Sequence, residues 1–234
     1  MNYKERLTRY REIRAALPDL FTNPPDAPVE LITGAEEIRL IEEEAMRRLA
    51  AQGNPPEWGR LGVVFEDPYS VTLRDAVRKP GGQRGTYSRR INPGNAPGVV
   101  VLPVHPDGLI LIRHFRHSTR GWHLEFPRGF GTPGERSEDD ARRELLEEIG
   151  AIADTLTSLG SMYPDTGQMA TSVHLYLAEI SKYQLADKEE GIGSIQAVSS
   201  AELADLIRTD TITDGFTIAA YTRAVLRGLL PHAI

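Results

Sequence analysis

The sequence of 234 residues has no cysteine, no long hydrophobic run and no excess of basic residues. The absence of cysteine excludes disulfides and thiolate metal sites, and it fits a reducing compartment. No segment approaches the roughly 18 consecutive apolar residues of a membrane-spanning helix, and the charged N-terminus, MNYKERLTRYREIR, lacks the apolar region of a secretion signal. A net charge of −6 gives no general basic surface for nucleic acid. We therefore expect a cytoplasmic protein with neither membrane nor nucleic acid as a partner.

The first 57 residues carry two apolar stripes with helical spacing. The stripes consist of Tyr3, Leu7, Tyr10, Ile13 and Leu17, and of Ile38, Ile41, Ala45 and Leu49. Because neither helix can bury its stripe alone, we expect the pair to pack on the main domain or on a second protomer. The turn residues Gly53-Asn54-Pro55-Pro56 mark a boundary. The sequence thus predicts an N-terminal helical extension over residues 1–57 and a main domain over residues 58–234.

The main domain mixes strand patterns with helix patterns. Strands are predicted at Ser70–Val77, Tyr87–Ile91, Gly98–Val104, Leu109–Phe115, Thr157–Gly160, Val173–Ile180 and Ser194–Val198. Two helices, from about Ala201 to Arg208 and from about Thr217 to Leu230, are predicted near the end of the chain. Because sheet elements frame helices on both sides, we predict an α/β fold in which a mixed β-sheet forms an α/β/α sandwich.

The most informative segment is GFGTPGERSEDDARRELLEEIGA, which begins at Gly129. Glu135 follows after five residues, and the pattern Arg-Glu-Leu-any-Glu-Glu-any-Gly follows after seven more, at residues 143–150. Seven fixed residues and one apolar position coincide by chance in such a chain with a probability on the order of 10⁻⁶. Ser137 as N-cap, the acids behind it and Gly150 predict a helix over residues 138–149.

Three carboxylates share one face of this predicted helix. Glu144, Glu147 and Glu148 stand at positions i, i+3 and i+4. Carboxylates packed this closely repel one another, whereas clustered oxygen ligands suit hard cations such as Mg²⁺ or Mn²⁺. Arg143 is placed to brace the carboxylate of Glu135 or of its neighbours by bidentate contact. We therefore predict a divalent metal site on this helix.

The segment resembles the Nudix box of diphosphate hydrolases, with only Ala151 smaller than the usual closing residue. The resemblance implies a Nudix α/β/α sandwich. It also implies that Glu144 and Glu148 bind the metal directly, that Glu147 joins them or acts through water, and that the carbonyl of Arg128 adds a ligand.

The residues ahead of the box narrow the resemblance to one branch. The segment Leu124-Glu125-Phe126-Pro127-Arg128-Gly129 is similar to the Glu-Leu-Pro-Ala-Gly motif of ADP-ribose pyrophosphatases and nucleotide-sugar diphosphatases, with Arg128 in place of the alanine. These enzymes often carry Ser-Pro-Gly about 16 residues beyond the box glycine, where this chain has Thr166 instead of proline. The substrate is therefore expected to be a nucleoside diphosphate linked to another small moiety, with ADP-ribose itself left open.

Positive charge concentrates just before the box. Arginine forks match phosphate oxygens, so this cluster predicts diphosphate binding. By resemblance Arg116 is the first candidate, with Arg89 or Arg90 second. The other residues considered for substrate contact are Arg113 in the same cluster and, for stacking on the base, Phe130, Trp122 and Tyr69.

Hydrolysis also requires a carboxylate to take a proton from water. In the resembled branch this group comes from a mobile loop after the box helix, where this chain offers Glu189 and Glu190, with Glu190 preferred. The reaction expected is cleavage of a P–O–P bond to a nucleoside monophosphate and a phosphorylated product. The alternatives are a catalytically silent nucleotide sensor and an enzyme for nucleoside triphosphates or dinucleoside polyphosphates. The branch is generally dimeric, so we also expect a homodimer.

Overall fold

The computed structural model describes residues 1–185 and 191–231, and contacts divide the chain into two compact units. The first unit comprises Met1–Asn95 and Asp165–Thr171, and the second comprises Ala96–Pro164 and Ser172–Ile234. Across the described ranges, no helix combines the length and apolarity needed to cross a membrane.

The first unit contains two helices and one antiparallel sheet. Its elements are α1 (Tyr3–Ala16), β1 (Glu30–Ile32), α2 (Ala35–Ala51), β2 (Gly62–Glu66), β3 (Val71–Arg78) and β4 (Arg84–Ile91). Strand β3 pairs with β4 along its whole length on one side, while β2 and β1 share the other side. A short bridge from Arg90 to Met169 attaches the segment Asp165–Thr171 to this unit.

The two apolar stripes predicted in the N-terminal residues are helical, and both face the sheet of the first unit. Leu7, Tyr10 and Ile13 of α1 are buried, as are Ile38 and Ile41 of α2. They form clusters with residues of β1, β2 and β3. The boundary predicted at residue 57 therefore falls inside the first unit, because β2, β3 and β4 provide the surface on which the helices pack.

The described part of the second unit contains a seven-stranded sheet and three helices. Its elements are β5 (Gly98–His105), β6 (Gly108–Arg116), β7 (Gly121–Glu125), β8 (Arg128–Gly129), α3 (Ser137–Ile149), β9 (Ala153–Met162), β10 (Val173–Ile180), β11 (Ile192–Val198), α4 (Ser200–Arg208) and α5 (Gly215–Leu226). The strand order is β11-β6-β5-β10-β9, with β7 paired to β6 and β8 paired to β5. Strands β5 and β10 are parallel and the other pairs are antiparallel, so the sheet is mixed.

The helices of the second unit cover both faces of this sheet. Ala141, Leu145 and Ile149 of α3 pack with one set of alternate strand residues, which includes Val99 and Val101 of β5. The residues between them on β5 face the opposite side and pack with Leu203 of α4 and with Ala220 and Ala224 of α5. Side chains alternate across a strand, so both faces of β5 are apolar and buried. The predicted α/β/α sandwich is confirmed.

Helix α3 begins one residue before the predicted start. Arg136 is its N-cap residue and makes no side-chain capping bond, whereas Ser137 is the first helical residue, so the prediction of Ser137 as N-cap was wrong. At the other end Gly150 has a φ of 58°, in the left-handed region. The N–H of Gly150 donates to the Leu146 carbonyl at 3.1 Å and that of Ala151 donates to the Leu145 carbonyl at 3.1 Å. The predicted glycine stop is confirmed.

Candidate active site

Two of the three predicted carboxylates on α3 are buried. The side chains of Glu144 and Glu148 are 8% and 2% exposed, whereas that of Glu147 is 45% exposed. Residues four apart on a helix lie one turn above each other, so Glu144 and Glu148 present two neighbouring carboxylates to the interior. Glu147 lies at the margin, open to solvent.

The main chain of β8 lies directly against these carboxylates. The N–H of Arg128 donates to Oε2 of Glu148 at 3.0 Å. A Cβ at Gly129 would collide with the carboxyl carbon and both oxygens of Glu144. Glycine at residue 129 is therefore required for close approach, since any side chain there would occupy the position of the Glu144 carboxylate.

Arg143 fixes the carboxylates from the solvent side. Its guanidinium contacts Glu144 and Glu147, both at 2.8 Å, and Asp140 at 3.1 Å, and it donates to the Phe130 carbonyl at 3.0 Å. Partial burial lowers the pKa of Arg143, but the hydrogen bond to Asp140 and the charges of the glutamates outweigh it, so the pKa lies above its ordinary value. The predicted bracing role thus involves neighbours of Glu135, which is itself exposed.

The loop that precedes α3 is held by an acid that the sequence analysis did not single out. Asp140 is 2% exposed and accepts hydrogen bonds from the Thr132 N–H at 3.1 Å and from its hydroxyl at 2.9 Å. The loop also passes close to Pro97, because a Cβ at Gly131 would collide with the Pro97 carbonyl oxygen. These contacts fix the loop between β8 and α3.

A second charged cluster centres on Glu125 at the end of β7. Its side chain is fully buried and forms an ion pair with Arg116, and it accepts a hydrogen bond from Arg128 at 3.4 Å. His114, also buried, places Nδ1 3.4 Å from Oε1 of Glu125 and 4.0 Å from Oε1 of Glu148. His114 therefore stands between the Glu125 cluster and the carboxylates of α3. The sequence analysis named Glu125 only as part of a motif, although an acid between two apolar residues, Leu124 and Phe126, is itself a signal of a buried charge.

The other arginines of the predicted substrate set each have a different partner. Arg113 projects from the other face of β6 and stacks on Trp122, with 4.0 Å between its guanidinium carbon and the ring centroid. In the first unit, Arg89 pairs with Asp75 at 2.7 Å, and Arg90 donates to the Ser70 hydroxyl at 3.1 Å.

Phe130, the first residue of the loop between β8 and α3, is 62% exposed. Glu189 and Glu190 lie outside the described residues.

The donor set at α3 fits a hard divalent cation. Two buried carboxylates beside a strand of main chain supply oxygen atoms of the kind that Mg²⁺ and Mn²⁺ prefer. Within residues 1–185 and 191–231, no three acidic or histidine side chains are grouped so that they could hold an ion together. An ion here would therefore complete its shell with main-chain oxygen, water or substrate phosphates, as Mg²⁺ commonly does.

Comparison with known families agrees with this geometry. The model of the NUDIX domain matches residues 94–217, which is more than half of the chain and includes the whole box. The chain belongs to the NUDIX domain family, and the family predicted from the box is confirmed.

The chain is similar to several individual proteins. The chain is 34% identical over 98 residues to the "ADP compounds hydrolase NudE" of Escherichia coli K12, covering 42% of this chain and 52% of that protein. It is 29% identical over 149 residues to the "ADP-ribose pyrophosphatase" of Bacillus subtilis, covering 62% of this chain and 78% of that protein. A "GDP-mannose pyrophosphatase" of Shigella flexneri is 25% identical over 158 residues, covering 62% and 80% of the two chains. The match thus spans only about half of the E. coli protein.

A solved structure shares the fold. A crystal structure of an ADP compounds hydrolase superposes with a TM-score of 0.62 at 24% identity, covering 74% of this chain and 93% of that chain.

Proposed function

We propose that this protein is a metal-dependent diphosphatase that hydrolyses the P–O–P bond of a nucleoside diphosphate linked to a second moiety. The products are a nucleoside monophosphate and a phosphorylated second product. The observation that carries the proposal is the pair of buried carboxylates inside a complete Nudix box, with Glu144 against Gly129 and Glu148 against the N–H of Arg128. A protein that only sensed nucleotides would have no need to keep this buried and mutually repulsive pair.

The residues divide the work of the reaction. Glu144, Glu148 and the main-chain carbonyl of Arg128 are the proposed ligands of Mg²⁺ or Mn²⁺, with Glu147 joining them or acting through water. When bound there, such a cation would lower the pKa of the attacking water and neutralise charge on the phosphates. Arg143 keeps the carboxylates aimed through its contacts at 2.8 Å.

Substrate binding is proposed to rest on Arg116 and Phe130. Glu125 anchors the Arg116 guanidinium, whose side chain remains 26% exposed and can still offer donors to a phosphate. Phe130, 62% exposed, offers a ring face for the base. Glu190 or Glu189 is proposed to take the proton from water, on sequence grounds alone.

The substrate class follows from these features and from the relatives. Their names concern ADP compounds, ADP-ribose and GDP-mannose, all of which contain a nucleoside diphosphate joined to another group. We propose ADP-ribose or a nucleoside diphosphate hexose for this chain. Thr166, where ADP-ribose enzymes often have proline, leaves the choice between them to experiment.

The deciding experiment compares substrates under steady-state conditions with Mg²⁺ and with Mn²⁺. ADP-ribose, GDP-mannose, NADH, dinucleoside polyphosphates and nucleoside triphosphates are tested at equal concentrations. We expect the highest kcat/KM for ADP-ribose or the nucleotide sugar, with a monophosphate and a sugar phosphate as products. Preferred release of pyrophosphate from a triphosphate would overturn the substrate class. Nucleotide binding without turnover of any compound would identify a sensor instead.

A further inference from the structure

The main chain and the side chain of Arg128 contact different parts of the second unit. Its main-chain N–H reaches Glu148 of α3 at 3.0 Å. Its side chain reaches Glu125 at 3.4 Å and Asp214 at 3.3 Å, and its guanidinium carbon lies 4.6 Å from the centre of the Phe216 ring. The residue therefore connects the carboxylates of the box helix with the start of α5.

The start of α5 is itself a rigid anchor. Asp214 is the N-cap residue and accepts from the Thr217 N–H at 2.9 Å and from the Thr217 hydroxyl at 2.8 Å. The same hydroxyl accepts from the Phe126 N–H at 3.0 Å, and Thr217 is fully buried. Contacts on both sides of Pro127 thus attach the segment before the box to the first turn of α5.

We propose that the side chain of Arg128 is a positioning residue that sets the metal affinity of the box through its attachment to Asp214. The proposal rests on the proposed function, because it concerns the cation assigned to that site. A ligand must be held within about 0.5 Å of its working position for a tight site. The main chain at residue 128 contributes one proposed ligand and one hydrogen bond to another, so a shift of this short strand disturbs both.

Charge and burial favour positioning over direct contact with substrate. The guanidinium of Arg128 already faces two carboxylates and an aromatic ring, and its side chain is only 23% exposed. Charge-assisted contacts of this kind hold an arginine fork in one orientation.

The test is a double-mutant cycle in the full-length protein, with Mn²⁺ alone as the probe. The variants are Arg128→Met, Asp214→Asn and the double variant, and the Kd for Mn²⁺ is measured by isothermal titration calorimetry without substrate. Asparagine keeps an oxygen for the Thr217 N–H, so the helix cap survives while the ion pair is lost. Arg223→Met, on the same helix, is the matched control, because the side chain of Arg223 donates to the Leu159 carbonyl at 3.1 Å, away from Asp214 and residue 128.

We expect Arg128→Met to raise the Kd for Mn²⁺ about tenfold and Asp214→Asn to raise it about threefold. The double variant should match Arg128→Met alone, because the two residues act through one contact. Arg128→Lys should recover part of the affinity, and Arg223→Met should leave the Kd within twofold. KM at saturating Mn²⁺ should stay within twofold in every variant.

Three results would overturn the proposal. An unchanged Kd with a lower melting temperature would assign Arg128 a structural role only, and an unchanged Kd with a raised KM would assign it to substrate. Additive effects on the Kd in the double variant would show that Arg128 does not act through its contact with Asp214. Arg128→Lys and Asp214→Asn keep the test open if Arg128→Met fails to fold. The proposed function is read separately on the wild-type protein, by its turnover of diphosphate compounds.

Discussion

Gly129→Ala should remove metal binding while leaving the fold largely intact. The three atoms nearest to the new Cβ all belong to the carboxylate of Glu144, which is the end of a side chain and can rotate away. Rotation breaks the contact with Arg143 and costs about 0.5–1.5 kcal/mol in side-chain strain. Because Arg143 is 36% exposed, loss of its ion pair adds at most about 1 kcal/mol.

Alanine also reduces the conformational entropy of the unfolded chain relative to glycine, which offsets about 0.4–1 kcal/mol of this loss of stability. The net loss of stability is then at most about 2 kcal/mol, which lowers the melting temperature of a protein of this size by at most about 8 °C. Metal affinity should suffer far more, because even groups that only support a ligand change it about 10- to 100-fold. We expect the Kd for Mn²⁺ to rise at least about 100-fold, and kcat/KM to fall by a similar factor.

Calorimetric titration with Mn²⁺, initial rates and thermal melting measure the three quantities. Gly131→Ala is the matched control, because its Cβ would strike the Pro97 carbonyl oxygen, which belongs to the main chain and cannot rotate away. Gly131→Ala should therefore lower the melting temperature more than Gly129→Ala. Wild-type Mn²⁺ affinity and kcat/KM in Gly129→Ala would refute the assignment of Glu144 as a ligand.

Four other predictions concern catalysis, substrate, association and pH. Glu148→Gln should fold normally and retain less than about a tenth of kcat, a change of at least about 1.4 kcal/mol, and greater retention would remove Glu148 from the metal site. Arg116→Ala should lower kcat/KM about 10- to 200-fold if a charge-assisted bond is lost, and it should lower the melting temperature because its buried carboxylate partner loses a cation. Arg113→Ala should change kcat/KM less than about threefold. Equal effects of the two variants on kcat/KM would contradict the assignment of Arg116 to substrate binding. Light scattering at micromolar concentration should give twice the chain mass of 25.9 kDa, and a value near the chain mass would refute the homodimer. The hydrogen bonds from Ser199 hold the pKa of Glu202 below its ordinary value of 4.5, so the contribution of Glu202 to stability is present above pH 4.5 and is lost as pH falls through the lower folded value. Glu202→Gln should therefore reduce the fall of the melting temperature on the acid side of its pH profile, and an unchanged profile would contradict this.

The features that the sequence predicted best are those encoded locally. The box helix, its end at Gly150 and the burial of Leu145 follow from spacing within one segment, and all three appear in the structure. The cap at Ser137 was mispredicted because the loop before the helix is held by the side chain of Asp140 instead. The Asp140 carboxylate accepts hydrogen bonds from Thr132, and the two residues come within hydrogen-bond distance only when the loop has folded.

The features that the sequence could not predict arise from contacts between separate elements. The buried Glu125 of β7 contacts His114 and Arg116 of β6, and no sequence periodicity predicts that these side chains come together. Strand β1 has only three residues, too few for an alternating pattern to stand out. The first compact unit extends past residue 57 for a related reason, since apolar stripes show that a helix packs against a partner but do not identify that partner.

The segment Asp165–Thr171 makes the first unit discontinuous along the chain, and this has a consequence for synthesis. Its main chain pairs with Arg90 through hydrogen bonds of 2.7 and 2.9 Å, and the Thr171 hydroxyl accepts from the Asn92 N–H at 2.9 Å. These partners emerge about 76 residues after Asn95. At translation rates of about 5–20 residues per second, the strand edge at Arg90 in the sheet of the first unit remains unpaired for roughly 4 to 15 s after its synthesis. During that interval the nascent chain carries an unpaired strand edge, which is a site where another chain can pair and start aggregation.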